Sequence, residues 1–157
     1  MSNLFKKYWP LLILPIGFIL DLITKQLALN IDDTIVIIPN FFSLELVFNK
    51  GAAWGILFPK WFLISINLVA GVGFITYFFK TKGTKLSKVG CVLIATGAFG
   101  NLIDRAFYEY GVIDFIAFDF FGYQFPRFNF ADSFIVIGVI IFLVALFIEE
   151  RKNGVHN

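Results

Sequence analysis

The chain has 157 residues, of which 59% are hydrophobic and 15% charged, and its formal net charge is +2. A soluble domain of this length needs more charge to stay dispersed, and 22 Phe residues would leave large apolar patches on its surface. The composition therefore excludes an ordinary soluble domain and predicts one integral membrane domain over residues 1–157.

Four segments are long and apolar enough to cross a bilayer, which takes about 20 mostly apolar residues. They cover residues 8–29, 61–79, 89–107 and 130–148. Lys6 and Lys7 before the first segment are typical of a secretory signal, but no small-residue cleavage site follows and three more spans come after it. We therefore expect the first segment to be retained, as one of four transmembrane helices.

The first and third loops, which connect the spans on the side opposite the two termini, differ in sequence. Residues 34–38 and 43–48 are typical of short strands around a Pro39-Asn40 turn, whereas residues 108–129 are rich in aromatics, which favour the bilayer interface. We predict a mainly α membrane protein with a small extracytoplasmic β-sheet between the first and second spans. An interfacial loop or half-helix is expected before the fourth span.

Positive charge predicts the orientation. The opposite loops, residues 30–60 and 108–129, carry only Lys50, Lys60 and Arg127. The other side of the spans carries eight cations: Lys6, Lys7, Lys80, Lys82, Lys85, Lys88, Arg151 and Lys152. The positive-inside rule therefore places both termini in the cytoplasm.

The residue types available restrict the chemistry. Cys91 and His156 are the single Cys and His, too few for the usual zinc ligands or a His-activated nucleophile, and one Cys precludes an internal disulfide. Any reaction must therefore use carboxylates, amines or hydroxyls, and no cofactor is implied.

Ionisable residues inside spans are functional candidates because they are costly to bury in lipid. By helical rise, three spans place theirs at one depth in the outer leaflet, roughly 18–26 Å from the cytoplasmic starts of the first and third spans. The second span contributes little to this layer. The residues are Asp21, Lys25, Asn101, Asp104, Arg105, Asn129 and Asp132.

Each residue also has a purely structural interpretation. Asp21 and Lys25 can be a neutralising pair, Asp104 and Arg105 can be interfacial, and Asn101 can pack helices by hydrogen bonding. Asp132 can cap the last helix, and Asp114 can be a solvated loop carboxylate. Their convergence at one depth favours a site.

Three other functions compete with a carboxylate enzyme. A proton-coupled small transporter or channel subunit would spread polar residues through the membrane, whereas here they cluster in the outer half. A Ser/Lys peptidase would need Ser65 near Lys25, but Ser65 lies in the second span. A non-catalytic lipid-binding protein would not need both Asp114 and Asp132.

Five polar motifs follow one another along the chain. They are Asp21-x-x-Thr24-Lys25, Asn49-Lys50-Gly51-Ala52-Ala53-Trp54-Gly55, Gly100-Asn101-Leu102-Ile103-Asp104-Arg105, Val112-Ile113-Asp114-Phe115 and Phe128-Asn129-Phe130-Ala131-Asp132-Ser133. From about residue 16 to residue 147 the series resembles bacterial lipoprotein signal peptidase, the type II signal peptidase. The resemblance implies an aspartic endopeptidase.

By this resemblance the catalytic residues are Asp114 and Asp132. Two carboxylates that share one proton can hydrolyse a peptide without metal or His, because one activates water while the other protonates the carbonyl. The resemblance also assigns residues that orient the dyad or bind substrate: Asp21, Lys25, Asn49, Gly51, Asn101, Arg105, Asn129 and Ala131. By chemistry, Lys25 and Arg105 can hold backbone carbonyls, and the asparagines can donate to carboxylates. Trp54 and Phe115 are expected in the wall or lid.

The family's substrate is a diacylglyceryl-modified prolipoprotein, cut just before its lipidated Cys. The resemblance thus implies a multi-pass protein of the bacterial cytoplasmic (inner) membrane, active near the outer leaflet. Its expected partners are that substrate, membrane lipid and the cyclic peptide antibiotics that inhibit the family, with no nucleic acid. We expect it to work as a monomer.

Overall fold

The computed structural model describes residues 3–52 and 56–154. Within these ranges four helices are long and apolar enough to cross a membrane: Phe5–Ala28, Lys60–Lys80, Lys85–Phe107 and Phe130–Lys152. The first combines α1 (Asn3–Tyr8), a 3-10 turn (Trp9–Leu12) and α2 (Ile13–Ala28). The others are α3 (Lys60–Lys80), α4 (Lys85–Phe107) and α5 (Phe130–Gly154). The four predicted spans are confirmed, with ends that shift by up to four residues.

Helix α4 is the central span. Of its apolar stretch 61% is buried within the protein, against 17–22% for the other three spans. Small residues make this possible, because a Cβ on Gly90 would lie 2.8 Å from the backbone nitrogen of Phe142, and one on Gly97 would overlap the carbonyl oxygen of Ala131. Close packing of α4 against α5 fixes the start of α5 relative to the polar end of α4.

A four-stranded antiparallel sheet in the order β1-β2-β3-β4 lies beyond the helix ends. Its strands are β1 (Ile35–Ile38), β2 (Phe42–Asn49), β3 (Val112–Phe120) and β4 (Tyr123–Gln124). The two strands predicted in the first loop are confirmed within two residues. Residues 108–129 form β3 and β4 rather than a half-helix, so the sheet includes strands from both loops and not only from the first.

Strand β3 connects the sheet to the helices. Its first four residues are buried, and in its register with β2 Asp114 stands opposite Val47. On its other side the chain before α5 is tied to β3 by Phe128, whose carbonyl accepts from the N–H groups of Phe115 (3.1 Å) and Ile116 (2.9 Å). The strand therefore brings Asp114 close to the start of α5, where Asp132 lies.

Candidate active site

A cavity of about 1040 Å³ opens between the sheet and helices α3, α4 and α5. Both Asp114 and Asp132 line it, on β3 and on the first turn of α5. Of the residues that the resemblance assigned to support, Asn49, Gly51, Asn101 and Arg105 also line the cavity. The structure thus brings the two aspartates and four of their predicted neighbours into one space.

Two asparagines hold the carboxylate of Asp114. Asn49 Nδ2 donates to its Oδ2 (3.0 Å) and Asn129 Nδ2 donates to its Oδ1 (2.7 Å). Asn49 is the last residue of β2, and Asn129 directly precedes α5, so the side chain of Asp114 is fixed from both sides of β3. Asp114 is 1% exposed.

The carboxylate of Asp132 is held by the ends of two helices. Asn101 Nδ2 on α4 donates to its Oδ1 (2.7 Å), and the backbone N–H of Asn129 donates to its Oδ2 (3.3 Å). In return Asn129 Oδ1 accepts the backbone N–H of Asp132 (2.8 Å). This reciprocal pair is a capping box, so the capping role considered for Asp132 from the sequence is real and coexists with its place in the cavity.

Asn129 therefore links the two aspartates, with its amide nitrogen on Asp114 and its amide oxygen at the backbone of Asp132. Burial raises the pKa of Asp114 from 3.8 to about 7, and the negative charge of nearby Asp132 acts in the same direction. Near neutral pH the carboxyl group of Asp114 is therefore protonated in part of the molecules.

Lys25 is the centre of a buried ionic cluster beneath the aspartates. Its Nζ lies 2.7 Å from Asp21 Oδ2, 2.9 Å from Asp104 Oδ2 and 3.3 Å from Asn101 Oδ1, and the side chain is 1% exposed. The neutralising pair with Asp21 is confirmed, and the expectation that Lys25 holds backbone carbonyls was wrong. It neutralises two carboxylates instead, because no other cation is bonded to Asp21 or Asp104 within the described chain.

The carboxylates of this cluster also bind backbone N–H groups next to both aspartates of the cavity. Asp21 Oδ1 accepts the N–H of Ala131 (2.8 Å), the residue before Asp132, and Asp104 Oδ2 accepts the N–H of Ile113 (3.2 Å), the residue before Asp114. The backbone N–H of the residue before each aspartate of the cavity therefore donates a hydrogen bond to a carboxylate of the cluster.

Arg105 works as expected from its chemistry. Its Nη2 donates to the carbonyl of Gly51 (3.0 Å), and the N–H of Gly51 donates to Asn49 Oδ1 (2.9 Å). The guanidinium thus secures the segment after β2 and, through Asn49, the carboxylate of Asp114. Its buried Nε has no partner among the described residues.

Some sequence interpretations do not survive. Phe115 is 6% exposed and packs with Ala28 and Ile113 in the core under the sheet, so it is not a lid of the cavity. Trp54 lies outside the described residues. The second span contributes more than expected, since Asn67 and three apolar neighbours on α3 line the cavity, as does Arg127 from the loop before α5. The sequence feature that could have identified Asn67 is that it is the one amide side chain in an apolar span.

Similarity to known proteins agrees with this geometry. Residues 13–148 match the family model described as signal peptidase (SPase) II. The chain is 42% identical over 146 residues to a lipoprotein signal peptidase of Clostridium tetani, which covers 89% of this chain and 93% of the relative. It is 39% identical over 142 residues to a lipoprotein signal peptidase of Staphylococcus carnosus, and this match covers 87% of this chain and 89% of that relative.

The fold is similar to that of two bacterial membrane enzymes solved by the in meso method. One, at 2.3 Å resolution, superposes with a TM-score of 0.82 at 34% identity and covers 91% of this chain and 90% of its own. The other, at 1.9 Å, gives 0.77 at 36% identity, with 87% and 91% covered. With a family match over most of its length and relatives about 40% identical, the chain belongs to the lipoprotein signal peptidase (signal peptidase II) family.

Proposed function

We propose that this protease removes signal peptides from diacylglyceryl-modified prolipoproteins as an aspartic endopeptidase, with Asp114 and Asp132 as its catalytic residues. Family membership supports the removal of signal peptides from prolipoproteins. The observation that carries the catalytic type is the placement of Asp114 and Asp132 in one cavity, joined through Asn129.

In the proposed reaction the ionised carboxylate takes a proton from water, and the water oxygen attacks the scissile carbonyl carbon while the protonated carboxyl gives its proton to the carbonyl oxygen. The first carboxyl then passes its proton to the leaving nitrogen, the C–N bond breaks, and the second carboxylate recovers a proton from the diol. The pair ends with one proton, as it began. The pKa of Asp114 near 7 supports a shared proton at neutral pH.

The supporting roles follow from the contacts. Asn49, Asn101 and Asn129 orient the carboxylates, and Arg105 with Gly51 secures the segment after β2. Asp21, Lys25 and Ala131 fix the start of α5. Such fixed neighbours keep both carboxyl groups within reach of the scissile bond.

The setting suits a lipid-modified substrate. The chain is a multi-pass membrane protein, and we place it in the bacterial cytoplasmic membrane as a monomer with both termini inside and the cavity near the outer leaflet. Apolar residues of α3 and α5 beside the dyad can contact the acyl chains of the substrate. They can also contact membrane lipid. Cyclic peptide antibiotics that act on the family would inhibit by placing a polar group between Asp114 and Asp132.

A transporter has no support here. The buried charged residues of the described ranges all lie in the halves of the spans next to the sheet or in β3, so no series of ionisable groups crosses the membrane. They are Asp21, Lys25, Asp104, Arg105 and Asp114.

The test is cleavage of a diacylglyceryl-modified prolipoprotein and of its unmodified form by the purified protein, with the product termini read by mass spectrometry. We expect a cut directly before the lipidated Cys and none in the unmodified substrate. Asp119→Asn, a change in the same strand as Asp114 but outside the cavity, serves as the active control. A cut elsewhere, or no cut, contradicts the proposal.

A further inference from the structure

Helix α3 presents one continuous face to the cavity. Phe62, Leu63, Ile66 and Asn67 line it, a spacing that places them side by side on a helix. Opposite them, Asp132 and the next turn of α5, Ile135 and Val136, form the other wall. Among the described residues of these two walls, Asn67 on α3 and Asp132 on α5 are therefore polar, and the side chains beside them are apolar.

Asn67 lies at the depth of the aspartates. It stands seven residues after the start of α3, about 10 Å along the helix, and Asn101 stands six residues before the end of α4, about 9 Å. Because α3 and α4 are consecutive antiparallel spans, these distances are both measured from the sheet side. The amide of Asn67 thus shares a level with the side chain that orients Asp132.

Asn67 differs from the asparagines of the dyad in having no protein partner. Asn49, Asn101 and Asn129 each make at least two hydrogen bonds, whereas the side chain of Asn67 makes none to residues 3–52 or 56–154. An amide without a hydrogen-bond partner is unfavourable inside a membrane span. Asparagines in such spans usually offset this cost with a hydrogen bond to another helix, and Asn67 makes none within the described residues. Because Asn67 lines the cavity, a ligand bound there can supply the partner.

The substrate has groups that need such a partner. For the dyad to reach the scissile carbonyl, the chain around it must leave the helical conformation, and its freed carbonyls then have no water to bind within the bilayer. The ester carbonyls of the diacylglyceryl group have the same need. The amide of Asn67 carries two N–H donors that can serve either kind of carbonyl.

We propose that Asn67 is a substrate-binding residue that donates a hydrogen bond to a carbonyl of the bound prolipoprotein, on the α3 side of the cavity. The proposal rests on the proposed function, since it takes the cavity to be the prolipoprotein site. Within the described chain Asn67 makes no hydrogen bond to Asp114 or Asp132, so we expect it to contribute to binding and not to the chemical step.

The test compares Asn67→Leu, which has a similar size and no amide, with Asn67→Gln, which keeps the amide. Ser65→Ala is the matched control on α3, because the Ser65 hydroxyl donates to the carbonyl of Trp61 in its own helix and does not line the cavity. We expect Asn67→Leu to raise KM roughly 5- to 10-fold with kcat nearly unchanged, the pattern of a lost binding contact. The KM values of Asn67→Gln and Ser65→Ala should stay within about threefold of the wild-type KM.

Thermal unfolding separates binding from packing. If the Asn67 side chain stabilised the fold, Asn67→Leu would lower the melting temperature. If Asn67 binds a ligand and has no partner in the described protein, Asn67→Leu should leave the melting temperature unchanged or raise it. A substrate with ether-linked chains distinguishes the two carbonyl sources. If Asn67→Leu has no effect on it, the ester is the partner; if the rise in KM persists, the main chain is.

Unchanged KM for Asn67→Leu on the ester substrate, or a fall in kcat together with a lower melting temperature, overturns this inference while leaving the aspartic peptidase intact. An unmodified enzyme that fails to cut the lipidated substrate overturns both. The two failures are therefore distinguishable in one set of assays.

Discussion

Replacing Lys25 by Met should destabilise the protein strongly, because the change leaves two buried carboxylates without their cation. Asp21 and Asp104 lie 2.7 and 2.9 Å from Lys25 Nζ, and all three side chains are at most 3% exposed. Removing one partner of a buried ion pair costs about 3–5 kcal/mol. For a chain of this size that loss lowers the melting temperature by roughly 6–20 °C.

The protein contains a matched control for burial. Lys60 Nζ lies 2.8 Å from Glu109 Oε1, a distance like that in the cluster, but the two side chains are 39% and 93% exposed. Because exposed pairs add little to stability, Lys60→Met should leave the melting temperature almost unchanged. Both variants would be measured by thermal unfolding in the same detergent, monitored by circular dichroism.

A compensated variant tests the reasoning itself. Adding Asp21→Asn and Asp104→Asn to Lys25→Met removes the uncompensated charges and should recover most of the lost stability, since a neutral cluster carries no charge burial cost. Equal effects of Lys25→Met and Lys60→Met, or no recovery in the triple variant, would refute the assignment of Lys25 as the neutralising centre.

Two further outcomes follow from the site and the packing. Because burial and the charge of Asp132 raise the pKa of Asp114 to about 7, the proton that the proposed dyad shares should be lost as the pH rises through that value, and kcat/KM should fall roughly tenfold per pH unit above it. A flat profile from pH 7 to 9 would contradict a one-proton dyad. Gly97→Ala would push a methyl group into the carbonyl of Ala131, next to Asp132, and should lower both melting temperature and activity, whereas Gly73→Ala, with open space around its Cβ, should lower neither.

The spans and the polar layer could be predicted because they depend on local sequence. Apolar length alone gives a transmembrane helix, and i,i+4 spacing alone places Asp21 and Lys25 on one face. The capping of α5 was also visible, since Asn129 and Asp132 have the spacing of a capping box.

The sheet could be predicted only in part. Strand β3 pairs with β2, more than sixty residues earlier in the chain, and nothing local in its aromatic sequence distinguishes such a strand from an interfacial loop. Phe115 was misplaced for the same reason, because its burial depends on that pairing.

The roles of Lys25 and Asn67 needed the three-dimensional arrangement. The i,i+4 spacing already offered Asp21 as a partner of Lys25, but the second carboxylate, Asp104, lies on another helix, which the sequence could not place beside Lys25. An asparagine in an apolar span is most often a helix-packing residue. Only the cavity beside Asn67 and the lack of a partner among the described residues separate it from that role.

The most direct test of the central claim is the cleavage rate of a diacylglyceryl-modified prolipoprotein by Asp114→Asn, Asp132→Asn and the double variant, each checked for folding by thermal unfolding. Because the proposed mechanism needs both carboxyl groups, each single variant should lose nearly as much activity as the double variant, while Asp119→Asn keeps its activity. Substantial activity in either folded single variant would contradict an aspartic dyad.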